Sequence, residues 1–273
     1  MFLQQPMISP NYKKYFYLQL EYSQGFVGVL AAVSLLFISS VDVKAQEVPH
    51  YEADPSWPKL PLGDRWLTGG LGGICIDSQD HVYILNRQNV VPDDLDGAQL
   101  APPVIELDPE GNVVGGWGDP EQLGDRLHDC HVDNNQNVWV VAAATGVLRK
   151  YSSDGNEMLL QLGESGQYDS TDGSRQGSPL NSDRAQFFLP AALDVDADTG
   201  DIYVADGELP GGNQRIAVLD RNGQFLRQWP LHRSDSERDI RPLPHCLRLS
   251  NDDLVYVCDR EADRIQVFDQ SGS

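Results

Sequence analysis

Basic residues are scarce in this chain. Lysine and arginine number 20 against 41 aspartates and glutamates, a formal net charge of −21 over 273 residues. A surface this acidic repels phosphate backbones, which argues against nucleic acid as a partner. Cysteine is also sparse. Cys75, Cys130, Cys246 and Cys258 include no C-x-x-C pair, so they read mainly as buried strand residues, with one disulfide possible. There is no G-x-S-x-G elbow, no Walker loop and no Ser-His-Asp order, which leaves no motif for those hydrolytic and phosphate-binding chemistries. Helical periodicity is missing beyond the first 45 residues, and only one apolar run stands out.

That run lies at 25–37 (GFVGVLAAVSLLF), after Lys13 and Lys14 and before Val43-Lys44-Ala45. A basic region, about a dozen apolar residues and a small residue at a V-x-A site describe a secretory signal cleaved after Ala45. The run falls short of the roughly 20 residues that span a bilayer; an uncleaved anchor is the alternative. The expected organisation is a signal peptide at 1–45, an extended segment at 46–65 and a repeat region at 66–273. The mature protein is expected to be secreted or periplasmic.

Four segments of the repeat region share one plan: an apolar strand ending near Asp, a polar turn, a V-Y/W-V strand, a loop, a third strand and a turn ending in Gly. They begin GGICIDSQDHVYILNR at Gly72, HDCHVDNNQNVWVVAA at His128, AALDVDADTGDIYVADG at Ala191 and HCLRLSNDDLVYVCDR at His245. The turn glycines Gly111, Gly155, Gly223 and Gly272 stand 44, 68 and 49 residues apart, about one four-stranded sheet each. Period-two alternation and D-x-x-G turns favour short antiparallel strands. The predicted fold is all-β: a β-propeller with blades at about 66–118, 124–166, 185–230 and 241–273. The fourth segment stops after its third strand, so the chain reads as four blades of a longer ring, truncated at its C-terminus. Polar stretches at 88–103 and 163–183 read as loops lining a binding face. The five tryptophans read as packing between blades.

When the blades are aligned on Asp77, Asp133, Asp196 and Ser250, the residues five places earlier are Gly72, His128, Ala191 and His245. Inner strands line a propeller's channel, so histidines in alternate blades would point at one axial place, as a three-histidine metal site requires. Two unrelated histidines beside a polar channel is the alternative. His131 is read as sharing the face of His128 and able to add a ligand. The run Asp194, Asp196, Asp198, Asp201 fits a hairpin turn better than a calcium loop.

The segments LHDCHVD from Leu127, PHCLRLSNDDLVYVCDREADRIQVFD from Pro244 and VYILNR from Val82 resemble the peptidyl-α-hydroxyglycine α-amidating lyases. These are six-bladed propellers of NHL repeats that split a peptidyl-α-hydroxyglycine into the peptide amide and glyoxylate. The resemblance covers residues 66–273. It implies zinc on His128 and His245, substrate binding by Arg87, and a structural calcium on the backbone carbonyl of Cys130. It also implies a third zinc histidine in a sixth blade. The sequence departs from the family's pattern where a catalytic tyrosine is expected after Asp206-Gly207: Glu208 stands there, and could serve as a base. It departs again at Val267, in the place of the second cysteine of the family's blade-four disulfide. Two functions follow as expectations: a zinc-dependent lyase, or a non-catalytic binding propeller using the same channel mouth. Either takes a peptide or small-molecule ligand and is expected to be a monomer when complete. A calcium-dependent lactonase on a similar propeller ranks last, because the inner strands lack its Glu, Asn and Asp cluster.

Overall fold

Alternating apolar and polar residues bounded by Asp-x-x-Gly turns form short, strongly paired strands. The computed structural model describes residues 50–63, 65–233 and 240–273. The expected signal at 1–45 lies outside them. A two-residue strand β1 (Trp66–Leu67) precedes the first blade, which comprises β2 (Leu71–Ile76), β3 (Val82–Asn86), β5 (Val104–Leu107) and β6 (Val113–Trp117), with β4 (Gln99–Leu100) between β3 and β5. The second blade runs β7 (Leu127–Val132), β8 (Val138–Ala142), β9 (Val147–Tyr151) and β10 (Met158–Leu162). The third runs β11 (Pro190–Val195), β12 (Ile202–Asp206), β13 (Arg215–Leu219) and β14 (Phe225–Pro230). The fourth has three strands, β15 (Pro244–Leu249), β16 (Leu254–Asp259) and β17 (Arg264–Asp269). Within each blade the strands pair antiparallel in chain order, and the four blades form a β-propeller arrangement. The stretch at 88–103 is not wholly a loop, because β4 pairs in parallel with β1.

The aligned acidic residues make the first turn of each blade. Asp77 accepts the N–H groups of Gln79 and His81, Asp133 those of Asn135 and Asn137, and Asp196 those of Asp198 and Thr199. Ser250 Oγ does the same for Leu254. Each is an Asx- or Ser-turn that fixes the hairpin locally. Asp196 therefore belongs to a hairpin, and Asp194 pairs with His131 of the preceding blade at 3.0 Å.

Blades pack through a knob seated on the turn glycine of the following blade. A Cβ on Gly155 would lie 2.1 Å from the Trp117 ring; one on Gly223, 2.5 Å from Leu162; one on Gly272, 2.5 Å from Trp229. Trp57, in the segment before the first blade, seats on Gly111 in the same way, at 2.9 Å. Trp117 also packs against Tyr151, and Trp229 against Tyr203 and Phe268. Trp57, Trp117 and Trp229 thus bridge neighbouring units. Trp139 shares a core cluster with Leu193, Ile202 and Ala217 of blade three, and its indole N–H donates to Asp133 at 3.2 Å.

The cysteines depart from expectation. Two disulfides form, Cys75–Cys130 and Cys246–Cys258. The first joins the inner strands of blades one and two. The second joins neighbouring strands of blade four, with Cys258 as the partner where Val267 could not serve. Strand alternation explains both pairings: Cys246 lies directly opposite Cys258 in the β15–β16 register, and Cys75 and Cys130 face each other where β2 packs on β7.

Alternation also leaves apolar side chains exposed on the outer blades. Ile74 and Ile76 flank Cys75 and point away from blade two; Ile265 and Val267 flank Gln266 and point away from blade three. Among the described residues no helix is long and apolar enough to cross a membrane.

Candidate metal centre at the channel mouth

Every inner strand carries a register irregularity near its start. It falls between Leu71 and Ile74, Leu127 and Cys130, Pro190 and Ala192, and Pro244 and Cys246. A bulge breaks strict alternation and re-aims a side chain. The aligned residues Gly72, His128, Ala191 and His245 all sit within these irregular stretches. Blade one needs glycine there because a Cβ on Gly72 would lie 2.0 Å from the Leu127 carbonyl oxygen. His128 and His245 are turned toward each other, ring centroids 4.9 Å apart and nearly edge-on.

Glu208 reaches the same place from blade three. Buried Asp206 ends β12, and its carboxylate accepts from Phe188 N at 2.8 Å, Asn213 Nδ2 at 2.8 Å and Arg215 Nε at 3.0 Å. The next residue has φ of +136°, and a Cβ on it would lie 1.4 Å from the Asn213 carbonyl oxygen. Only Gly207 satisfies both constraints. The N–H groups of Gly207 and Glu208 both donate to the Leu189 carbonyl, at 3.0 and 2.7 Å. This turn sets Glu208 against the histidines with its side chain only 3% exposed. Ligand-capable atoms of His128, Glu208 and His245 all lie within 4.8 Å of one another.

Arginines surround the group. Arg126 Nη2 donates to both Glu208 oxygens, at 2.7 and 2.9 Å, and Arg260 Nη1 lies 3.4 Å from Oε1. Arg87, at the end of β3, donates through Nε to the Leu127 carbonyl at 3.2 Å, one residue before His128. Burial alone would raise the pKa of Glu208, but the contacts from His128 and Arg126 outweigh it and bring it down to about 2. A carboxylate held that low takes up a proton poorly near neutral pH. Burial lowers the pKa of His245, helped by the positive charge of His128, Arg260 and Arg87. That favours a neutral imidazole, the form that binds metals.

His128, His245, Glu208 and Arg87 therefore meet at one mouth. His131 does not join them. It is three residues along from His128 with the bulge between, and its ring pairs with Asp194. Cys130 stands outside the cluster with its sulfur bonded to Cys75. Arg126 and Arg260 are additions that sequence reasoning missed. Arg260 lies within the D-R-E run that carried the resemblance, and Arg126 stands two residues before His128. Position in the chain gave no sign that both would close on Glu208. Deeper in the channel a second polar layer spans blades two and four, where Arg248 holds Asp129 with two hydrogen bonds of 3.1 and 3.2 Å.

The family model for the NHL repeat matches residues 242–268, the fourth blade. The human NHL repeat-containing protein 3 is 30% identical over 226 residues, covering 81% of this chain and 57% of that protein. Peptidyl-glycine alpha-amidating monooxygenase B of Xenopus laevis is 28% identical over 248 residues, 83% of this chain and 25% of its own length. A probable peptidyl-alpha-hydroxyglycine alpha-amidating lyase of Caenorhabditis elegans is 29% identical over 142 residues, 52% of this chain and 36% of its own. The chain thus spans little more than half of the first relative and a smaller part of the other two. With four antiparallel blades in sequence, knob-and-glycine packing between them and the repeat match in the fourth, the chain is an NHL-type β-propeller, distantly similar to the peptidylglycine amidating enzymes.

Proposed function

We propose that this propeller is an exported, zinc-dependent lyase of the peptidyl-α-hydroxyglycine type. The observation that carries the reading is the convergence of His128 and His245 from alternate blades, 4.9 Å apart by ring centroid, at a mouth ringed by arginines. The residues fit the metal. The Ala191 carbonyl can only accept, so the 2.7 Å contact makes His128 Nδ1 the donor and leaves Nε2 without a proton in the neutral ring. A metal-binding histidine is oriented by this kind of outer hydrogen bond. When bound, zinc supplies Lewis-acid polarisation of the substrate hydroxyl.

The remaining work belongs to the chain's own side chains. The substrate ends in a carboxylate, and Arg87 and Arg260 offer guanidinium donors suited to it. In the reaction the hydroxyl loses its proton and its electrons form the aldehyde carbonyl of glyoxylate. The carbon–nitrogen bond breaks, and the departing amide nitrogen takes up a proton. The purified full-length protein is expected to contain about one zinc per chain by elemental analysis and to release glyoxylate from an α-hydroxyglycine peptide, with Arg87→Met raising KM. Absence of glyoxylate release from zinc-loaded protein would remove the lyase.

A second reading has one observation in its favour. Glu208 stands where the resemblance expects a catalytic tyrosine, and a non-catalytic propeller binding a carboxylate-bearing peptide needs no base there. It would bind the same hydroxyglycine peptide without turning it over.

A further inference from the structure

The carboxylate at the mouth faces a ring nitrogen. Nδ1 of His128 is committed as a donor to Ala191, so Nε2 is the ring nitrogen that faces Glu208 Oε1, at 3.5 Å. His128 Nε2 and Glu208 Oε1, both buried, can be bridged by one positive species, a proton or a metal cation. Arg126 and Arg260 do not fill that space, since they reach Glu208 from their own blades, two and four. His245 closes the third side, edge-on to His128.

We infer that Glu208 is the third protein ligand of a divalent-cation site, completing a two-histidine, one-carboxylate set with His128 and His245. The inference rests on the metal-binding part of the proposed function and gives Glu208 a role other than base. Three features support it. Ligand-capable atoms of the three residues lie within 4.8 Å of one another, so small side-chain shifts bring them to the roughly 2 Å contacts of a zinc-class ion. The backbone at Gly207 is fixed by its φ and by the Asn213 carbonyl, so Glu208 cannot swing elsewhere without refolding the turn. A carboxylate has about four lone-pair positions, so Arg126 and Arg260 can remain on it as outer partners while a metal takes the His128 side. Two histidines and a glutamate with an open position is a known catalytic zinc set. Here blades two, three and four supply all of it.

Cobalt(II), which reports its ligands through visible absorption, tests the assignment on the purified full-length protein, with zinc competition for affinity. Wild type is expected to bind one cobalt per chain. Glu208→Gln keeps the shape and an oxygen for Arg126, yet is expected to change the spectrum and weaken binding by more than the ~10–100-fold that loss of an outer partner costs. Glu208→His, which restores a ligand atom but not the salt bridge, is expected to recover cobalt binding with a nitrogen-richer spectrum. A purely structural glutamate would show no such recovery. If Glu208→Gln binds cobalt with wild-type affinity and spectrum while His128→Ala does not bind, Glu208 is not a ligand and the histidine site stands. If wild type binds no cobalt, both the ligand set and the zinc reading fall. Circular dichroism of each variant separates lost binding from lost fold, and a Glu208→His variant that folds without binding also overturns the inference.

Discussion

Asp133 is a single side chain that serves three partners. Its carboxylate caps the turn after β7, accepts the Trp139 indole N–H and pairs with Lys150 at 2.7 Å. Burial pushes its pKa up, but the Lys150, Asn137 and Trp139 contacts win and hold it below the usual 3.8. Because the folded value lies below the unfolded one, this residue contributes stability above about pH 3.8 and loses it as pH falls through the lowered value. Asp133→Asn is expected to cost on the order of 1–3 kcal/mol at neutral pH. Urea unfolding at several pH values should show that gap to wild type closing below about pH 3.8. At this scale the sequence was readable wherever a residue acts on its own neighbours: Asp77, Asp133, Asp196 and Ser250 align because each must cap its own hairpin. It was silent where a side chain acts across blades. Arg126 and Arg260 lie 134 positions apart in the chain and share one carboxylate, which no local pattern announces.

Blade-to-blade cohesion lies at the level of the element. The outer strand of each of the first three blades carries, at or next to its end, a large apolar residue that fills the space a Cβ would need on the next turn glycine, as Trp117 does at Gly155. Trp117→Ala removes the knob and is expected to cost ~3–5 kcal/mol. Gly155→Ala adds one methyl to a position with φ of +70° and no room, and is expected to destabilise as well. The double variant should be more stable than the sum of the two losses predicts, since the cavity accommodates the methyl; additive losses in denaturant midpoints would rule out direct packing. The turn glycines were legible as a repeat, and the tryptophans as packing between blades. Their pairing was hidden because Leu162 takes the tryptophan's place before Gly223. The inner-strand bulges were hidden too: His131 was read on the face of His128, but it stands three residues on, an odd step along a strand, and its ring pairs with Asp194.

For the whole molecule, charge and apolar surface pull in opposite directions. A net charge of −21 keeps copies apart, yet Ile74 and Ile76 on blade one and Ile265 and Val267 on blade four stand roughly half exposed or more on outward faces. Such faces associate when salt screens the repulsion. Sedimentation of the 273-residue chain is expected to show association that strengthens with ionic strength, and Ile74→Lys with Ile265→Lys should abolish it. Oligomers that persist in that double variant would place the contact elsewhere. The same acidic background makes the three arginines at the mouth a local exception, which suits a carboxylate-bearing ligand more than a neutral one.

The knob-and-glycine packing also gives the arc a direction. In every pair the knob precedes its socket in the chain: Trp57 before Gly111, Trp117 before Gly155, Leu162 before Gly223, Trp229 before Gly272. During synthesis, domains and their parts fold from the N-terminal side first. Each blade therefore emerges from the ribosome to find its partner surface already made, and the hairpin that closes on it completes one step of a sequential assembly. The order in which the blades are translated is the order in which they can lock.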